Sequence, residues 1–310
     1  MGSVSERSAV AAGAGVVLGR VALSAVRKMA TAGAFERTNY RGRRVSLAAG
    51  PALAMATSVA GGLGAADRGR GDRGRGDRGN VSAAALVAGL GAGAVGLYDD
   101  MAGRRPEHHA KGFRGHLRAL REGRVTTGLV KVVGVSAVGL IAASMLPARG
   151  AAPHGRRPGR AYRALDLALG AGVIAGTANL VNLLDLRPGR ALKASLILAT
   201  PAILDALWGQ GPTDHPRSTG GSAVAAGAAG AAAALLADDL AERTMIGDSG
   251  ANAIGAVLGV AAAARSGLAG RAALLTGIAA LTAASERVSF TEVIEATPGL
   301  RHLDRLGRRA

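Results

Sequence analysis

Nine apolar runs, each close to the length of a membrane span, divide this sequence, and short basic or glycine-rich stretches separate them. They fall near 9–26, 45–64, 81–98, 125–146, 167–184, 191–208, 221–237, 250–264 and 268–284. A helix crosses the hydrocarbon of a bilayer with ~20 apolar residues. In lipid, only structures that satisfy their own backbone polar groups can cross. The pattern therefore predicts an all-α polytopic membrane helix bundle of 9–10 spans, with residues 1–310 forming a single integral membrane domain. Composition supports this: 49% of the chain is hydrophobic but only 2% is aromatic, so Ala, Val, Leu and 48 Gly supply the apolar mass. A soluble core draws on more aromatic side chains, whereas membrane helices use small residues to approach closely.

The net charge of +17 raises the question of nucleic acid. Aromatic stacking platforms are missing, however, and the basic residues sit in the loops between apolar runs, so no nucleic-acid partner is expected. The absence of cysteine excludes disulfides, thiolate metal sites and cysteine nucleophiles. Loops following the odd-numbered spans hold 22 Lys and Arg, against 14 on the opposite side. The positive-inside rule then places the N-terminus outside and the C-terminus inside a plasma membrane. The first run lacks a basic flank and a cleavage site, so it reads as a span rather than a signal peptide. Residues 67–80 repeat Arg-Gly-Asp-Arg-Gly and are expected to be a disordered outer loop. Residues 147–161 read as a linker, and 285–310 as a cytoplasmic tail.

Three acidic motifs end or begin apolar runs: Gly96-Leu97-Tyr98-Asp99-Asp100, Asn179-Leu180-Val181-Asn182-Leu183-Leu184-Asp185, and Met245-Ile246-Gly247-Asp248-Ser249-Gly250. Span parity puts all three on the same face, the cytoplasmic one. A single terminal Asp is an ordinary solvated helix end; three sets on one face point to a site. Asn179, Asn182 and Asp185 recur every third residue and form one polar stripe on a helix. Their amides need partners inside a span, either neighbouring helices or a ligand, and spacing leaves both open. Ser249 is placed to cap the next helix, whose N-terminus favours phosphate. Asp248 beside it offers a hard oxygen to Mg²⁺, which takes one or two carboxylates along with substrate phosphates. Asp238 and Asp239 read as loop charges.

Basic residues gather on the same face, between Lys111 and Arg124 and again at Arg187, Arg190 and Lys193. Most satisfy the positive-inside rule alone. Lys131 and Lys193 lie inside spans, where each either snorkels to the surface or holds a lipid phosphate.

In order and position, the three motifs resemble those of the polyprenyl-phosphate N-acetylhexosamine-1-phosphate transferase family, which includes phospho-MurNAc-pentapeptide translocase and undecaprenyl-phosphate GlcNAc-1-phosphate transferases. Gly96 to Asp100 is similar to its paired-aspartate motif, Asn179 to Asp185 to its Asn-x-x-Asn-x-x-Asp motif, and Gly247 to Gly250 to its Gly-Asp-Ser/Thr-Gly motif. The resemblance covers about residues 36 to 265 and implies Mg²⁺-dependent transfer of a sugar-1-phosphate from a UDP-sugar to undecaprenyl phosphate, with release of UMP. It implies catalytic roles for Asp99, Asp100 and Asp185, a metal-ligand role for Asp248, and substrate contacts for Asn179, Asn182 and Lys111. Arg190 and Lys193 join the substrate-binding candidates because of their charge and position. Pro188 stands where the family commonly carries a second aspartate, and His302 stands alone where the translocase has several histidines. The resemblance therefore implies a divergent branch. The alternative is a catalytically degenerate member that binds polyprenyl lipid or scaffolds envelope machinery. A homodimer is left open.

Overall fold

The computed structural model describes residues 4–29, 33, 35–66, 75–102, 126–147, 159–208 and 219–308. Its helices are α1 (Val4–Met29), α2 (Ala49–Ala65), α3 (Arg75–Ala102), α4 (Thr127–Ser144), α5 (Arg160–Leu184), α6 (Arg190–Trp208), α7 (Thr219–Leu240), α8 (Gly247–Arg265), α9 (Leu268–Ser285), α10 (Phe290–Ala296) and α11 (Pro298–Arg305). Among the described residues, the nine long helices coincide with the nine apolar runs. The chain is an all-α polytopic bundle, and seven of these helices are long and apolar enough to cross a membrane.

The two long helices outside that set have physical reasons for it. α2 is only 17 residues long, and α8 carries Asp248 and Asn252 in its first two turns. Neither depends on lipid contact, because each is walled by other helices. α8 packs against α2, α3, α5 and α7, and is buried around nearly its whole circumference. Its small residues Gly247, Ala251, Gly255, Gly259 and Ala263 recur every fourth position. A Cβ added at Gly255 or Gly259 would stand 2.6 or 2.7 Å from a Cα of α5. Backbones packed this closely gain dispersion and weak polar contacts that larger side chains would prevent. α1 and α7 flank α2, while α9 lies at the periphery against α5.

Local structure adds detail to the sequence reading in three places. The run read as starting at 45 begins with a strand, not a helix: β1 (Glu36–Thr38) pairs antiparallel with β2 (Arg44–Ser46), and α2 starts only at Ala49. The Asn39 side chain shapes the turn by accepting from the amides of Arg41 and Arg43 at 2.9 and 3.0 Å, and Gly42 supplies a φ of 75°. α3 begins at Arg75, inside the repeat stretch, and residues 67–74 lie outside the described residues. Once α3 has nucleated in its apolar stretch, each further turn adds hydrogen bonds at little cost, so it propagates into the repeat. Finally, the residues read as a tail form α10 and α11, which dock back onto α6.

Contacts between helix ends confirm the alternation. The C-terminal ends of α3, α5 and α7 meet the N-terminal ends of α2, α4, α6 and α8 at one end of the bundle. At the opposite end, Arg265 pairs with Asp205 at 2.5 Å, and Arg271 pairs with Asp166 at 2.8 Å. Arg271, which interrupts the ninth run, is 1% exposed and also donates to the carbonyl of Ala263. Removing either member of such a buried pair strands a charge, at a cost of about 3–5 kcal/mol.

Candidate functional site

All three acidic motifs meet at one end of the bundle, around a lysine from a fourth helix. Lys131, on the first turns of α4, directs Nζ to Asp248 Oδ2 at 2.6 Å and to Asn182 Oδ1 at 2.9 Å. Asp99 Oδ2 lies 3.5 Å from the same nitrogen. Asn182 Nδ2 donates to Asp248 Oδ1 at 2.7 Å and closes a triangle. α3, α4, α5 and α8 thus each place one polar side chain in a shared pocket of charge. Asn182 takes its polar partners, Lys131 and Asp248, from neighbouring helices.

Asp100 has a different task. Its Oδ1 and Oδ2 accept from the amides of Asp248 and Ser249 at 3.2 and 3.0 Å, so a carboxylate from α3 caps α8. An anion at a helix N-terminus satisfies orphan N–H groups and the positive end of the dipole together. Ser249, read from the sequence as the cap, instead donates its hydroxyl to the carbonyl of Gly93 at 3.0 Å. These bonds need α3 and α8 nearly in backbone contact, and Gly96 allows it: a Cβ there would lie 2.2 Å from the carbonyl oxygen of Asp248. Gly247 enters the helix with a φ of 54°, which costs a glycine least. The guanidinium of Arg37, from β1, caps the carbonyl of Asp100 at 3.1 Å.

Asp185 follows the last residue of α5 and lines a cavity of about 140 Å³ with Arg37, Tyr40, Arg187 and Thr244. No hydrogen bond or ion pair to its carboxylate is found among the described residues. Burial pushes Asp185 well above the usual carboxylate range, and the charges of Asp239, Asp248 and Asp100 add to the effect against the opposing pull of Lys131. A carboxylate in this position gains from taking up a cation or a proton. The loop after it is held firmly. Asp239 accepts from the amide of Gly189, so it is a buried anchor rather than the loop charge expected. The guanidinium of Arg187 lies 4.2 Å from the Tyr40 ring centroid.

Three of the site residues expected from the sequence are not drawn into this cluster. Asn179 is exposed one turn below Asn182. Lys111 lies outside the described residues. Arg190 is 5% exposed and gripped by Asp304, and Lys193 is turned onto the carbonyls of 303, 304 and 306. Both bind the chain's own C-terminal segment, whose fold brings the Asp304 carboxylate and three backbone carbonyls within reach. Conversely, Lys131 stands at the centre although its position inside a span marked it only as one of two unusual lysines. Asn252, one turn below Asp248, is 1% exposed with Nδ2 unpartnered, a buried polarity that hydropathy alone does not signal.

Among the described residues no group of three or more His, Cys, Asp or Glu is close enough to hold a metal unaided. Both oxygens of Asp248 already have partners in Lys131 and Asn182. The ammonium of Lys131 pairs with Asp248 at 2.6 Å and lies 3.5 Å from Asp99, so two carboxylates are the hard oxygen donors gathered there, the number that Mg²⁺ commonly takes beside substrate phosphates. A scan against protein-family models and a search of curated proteins find no match to the chain.

Proposed function

We propose that the protein is a membrane phosphoglycosyl transferase that moves a sugar-1-phosphate from a UDP-N-acetylhexosamine-type donor to undecaprenyl phosphate, on the cytoplasmic face of the plasma membrane, in cell-envelope glycan synthesis. One observation carries the reading: Asp99, Asn182 and Asp248, from three motifs far apart in the chain, converge on Lys131. In the reaction an oxygen of the lipid phosphate attacks the β-phosphorus of the donor. The bond from that phosphorus to the bridging oxygen breaks, and UMP leaves with the electron pair.

This chemistry asks for position and charge more than for covalent machinery. A lipid phosphate is a competent nucleophile near neutral pH. Asp99 stands at the C-terminal end of α3, where it would meet a phosphate carried at the membrane surface. Asp100 fixes the start of α8 and thereby the aim of Asp248. Asp185 faces the cavity, where Arg37 and Tyr40 supply cationic and aromatic contacts suited to a nucleotide. Lys131 balances Asp99 and Asp248, and its ammonium would turn to a phosphate oxygen once a cation satisfied those carboxylates. Asp248, with Asp99, would hold Mg²⁺. Such an ion neutralises the diphosphate and stabilises the departing UMP.

The test is purified protein with undecaprenyl phosphate, Mg²⁺ and a panel of UDP-N-acetylhexosamines, scored for UMP. Activity that disappears in Asp99→Asn and Asp185→Asn supports the proposal. A second reading is favoured by Pro188, which replaces an acidic position of the resembled family with a residue that offers only a carbonyl. Under it, the chain binds polyprenyl phosphate or scaffolds envelope machinery without catalysis. Binding of the lipid with no UMP from any donor would select that reading.

A further inference from the structure

The segment after α9 returns to the candidate site and makes contact with the loop that carries Asp185. Arg190, at the start of α6, donates Nε and Nη2 to the two oxygens of Asp304 at 2.8 and 3.1 Å, and Nη1 to Thr291 at 2.8 Å. The side chains of Arg190 and Asp304 are only 5% and 7% exposed, so each depends on the other for compensation. Lys193, one turn on, donates to the carbonyls of Leu303, Asp304 and Leu306. These include acceptors at the end of α11 that no amide of the helix reaches, and a cation is favoured there. The two contacts fasten α11 to α6.

Fastening alone does not need Arg308. Its Nη2 reaches Asp304 Oδ1 at 2.6 Å, while its Nε crosses to the carbonyl of Pro188 at 2.8 Å. A ring of hydrogen bonds results, running from Pro188 through Arg308 and Asp304 to Arg190, and its two ends are two residues apart in the loop. Asp239 holds the neighbouring amide of Gly189 from the other side. Leu240 packs there too, 2.4 Å from where a Cβ of Gly189 would stand and 3.1 Å from one at Gly307. The short stretch from Asp185 to Arg190 is thus pinned by α7 on one side and by the last helix on the other.

We infer that residues 286–308 form a latch that holds the Asp185 loop in place, with Asp304 and Arg308 as positioning residues that touch no substrate. The inference rests on the transferase reading for its consequence in turnover, but not for the latch itself. Proline at 188 gives it a chemical sense: without an amide hydrogen or a polar side chain, Pro188 offers only its carbonyl, and Arg308 takes it. The loop's geometry is then set from the far end of the chain.

The experiment uses the full chain in lipid nanodiscs, with Arg308→Gln, Arg308→Lys and Asp304→Asn. Amide hydrogen exchange is followed over 186–192 and α8, beside UMP release. In Arg308→Gln, exchange over 186–192 should rise about tenfold while α8 is unchanged, as expected for local opening. Turnover should fall about 10- to 100-fold at nearly constant KM, the scale of a slightly misplaced catalytic group. Arg308→Lys keeps a cation and a donor and should recover most of the loss. Arg308 is only partly buried, so its Gln variant remains decisive if Asp304→Asn does not fold. Unchanged exchange over 186–192 overturns the latch. Faster exchange with wild-type kcat overturns the positioning role. A wild-type protein that releases no UMP from any donor defeats the transferase reading, while exchange still decides the latch.

Discussion

Replacing Gly96 with alanine adds one methyl group at the place where α3 and α8 touch. That methyl would lie 2.2 Å from the carbonyl oxygen of Asp248, 2.5 Å from its carbonyl carbon and 2.7 Å from the amide nitrogen of Ser249. All three are backbone atoms, so no side chain can swing aside. Restoring an ordinary contact of 3.4 Å requires the helices to part by about 1.2 Å (3.4 − 2.2). Asp100 then loses its hold on α8, because bonds of 3.2 and 3.0 Å stretched by that amount pass the ~3.5 Å limit for N–H···O contacts. Overpacking costs about 1–3 kcal/mol, and each lost hydrogen bond to a carboxylate about 1.5–3 kcal/mol. The gain in helix propensity from Gly to Ala, about 1 kcal/mol, offsets little of this. A net destabilisation on the order of 4 kcal/mol is expected, with a fall in UMP release of at least about 100-fold as Asp248 moves from Lys131. Gly277→Ala is the matched control, since a Cβ at Gly277 meets nothing within 4 Å. Thermal unfolding in detergent and UMP release are measured on both variants. A Gly96→Ala protein as stable and as active as Gly277→Ala would refute the argument that backbone contact between α3 and α8 builds the site.

Asp248→Asn keeps the volume but removes a charge that a hard cation needs; loss of Mg²⁺-dependent turnover or nucleotide binding at normal expression is expected, and wild-type turnover with unaltered Mg²⁺ dependence would exclude Asp248 as the ligand. At Asp304, burial opposes ionisation, but Arg190 and Arg308 outweigh it and hold the carboxyl below its ordinary value of 3.8. A depressed folded-state value means that the latch is fully stabilised above the ordinary carboxylate range and weakens as pH falls below it through the folded-state value. A nitroxide on Thr297→Cys, read by electron paramagnetic resonance, should keep constant mobility from neutral pH down to that range and loosen only below it; loosening that begins near neutral pH would contradict the assignment. Gly267→Cys and Gly299→Cys place single thiols in open space at opposite ends of the bundle of a cysteine-free chain. An impermeant thiol reagent on intact cells should label only position 267, and equal labelling would sink the proposed orientation.

The bundle was legible because lipid leaves so few choices: runs of apolar residues near span length had to be helices, and they are. Convergence of the acidic motifs followed from counting spans. The partners of each charge were less readable. Lys131 and Lys193 look alike in sequence, each a cation inside an apolar run, yet one meets three polar groups from other helices and the other meets carbonyls of α11. Which partner a long side chain finds is decided by tertiary packing, on which hydropathy is silent. Arg190 and Asp304 are 114 residues apart, so their pairing could not emerge from local pattern. The hairpin at 36–46 was missed because its strands are three residues each and lean on the 243–245 stretch for a further hydrogen-bonded edge.

The central position of α8 has a consequence for how the chain enters the membrane. A segment that opens with Asp248 and Asn252 is a poor substrate for insertion by its own hydropathy, and α8 is absent from the seven helices apolar enough to cross alone. Its walls are α2, α3, α5 and α7, all of which leave the ribosome before it does. By the time α8 is synthesised, the slot it fills can already stand in the bilayer, lined by glycines and by the carboxylate of Asp100 waiting for its first amides. Insertion in chain order would give the helix that carries Asp248 a slot walled by protein rather than by lipid.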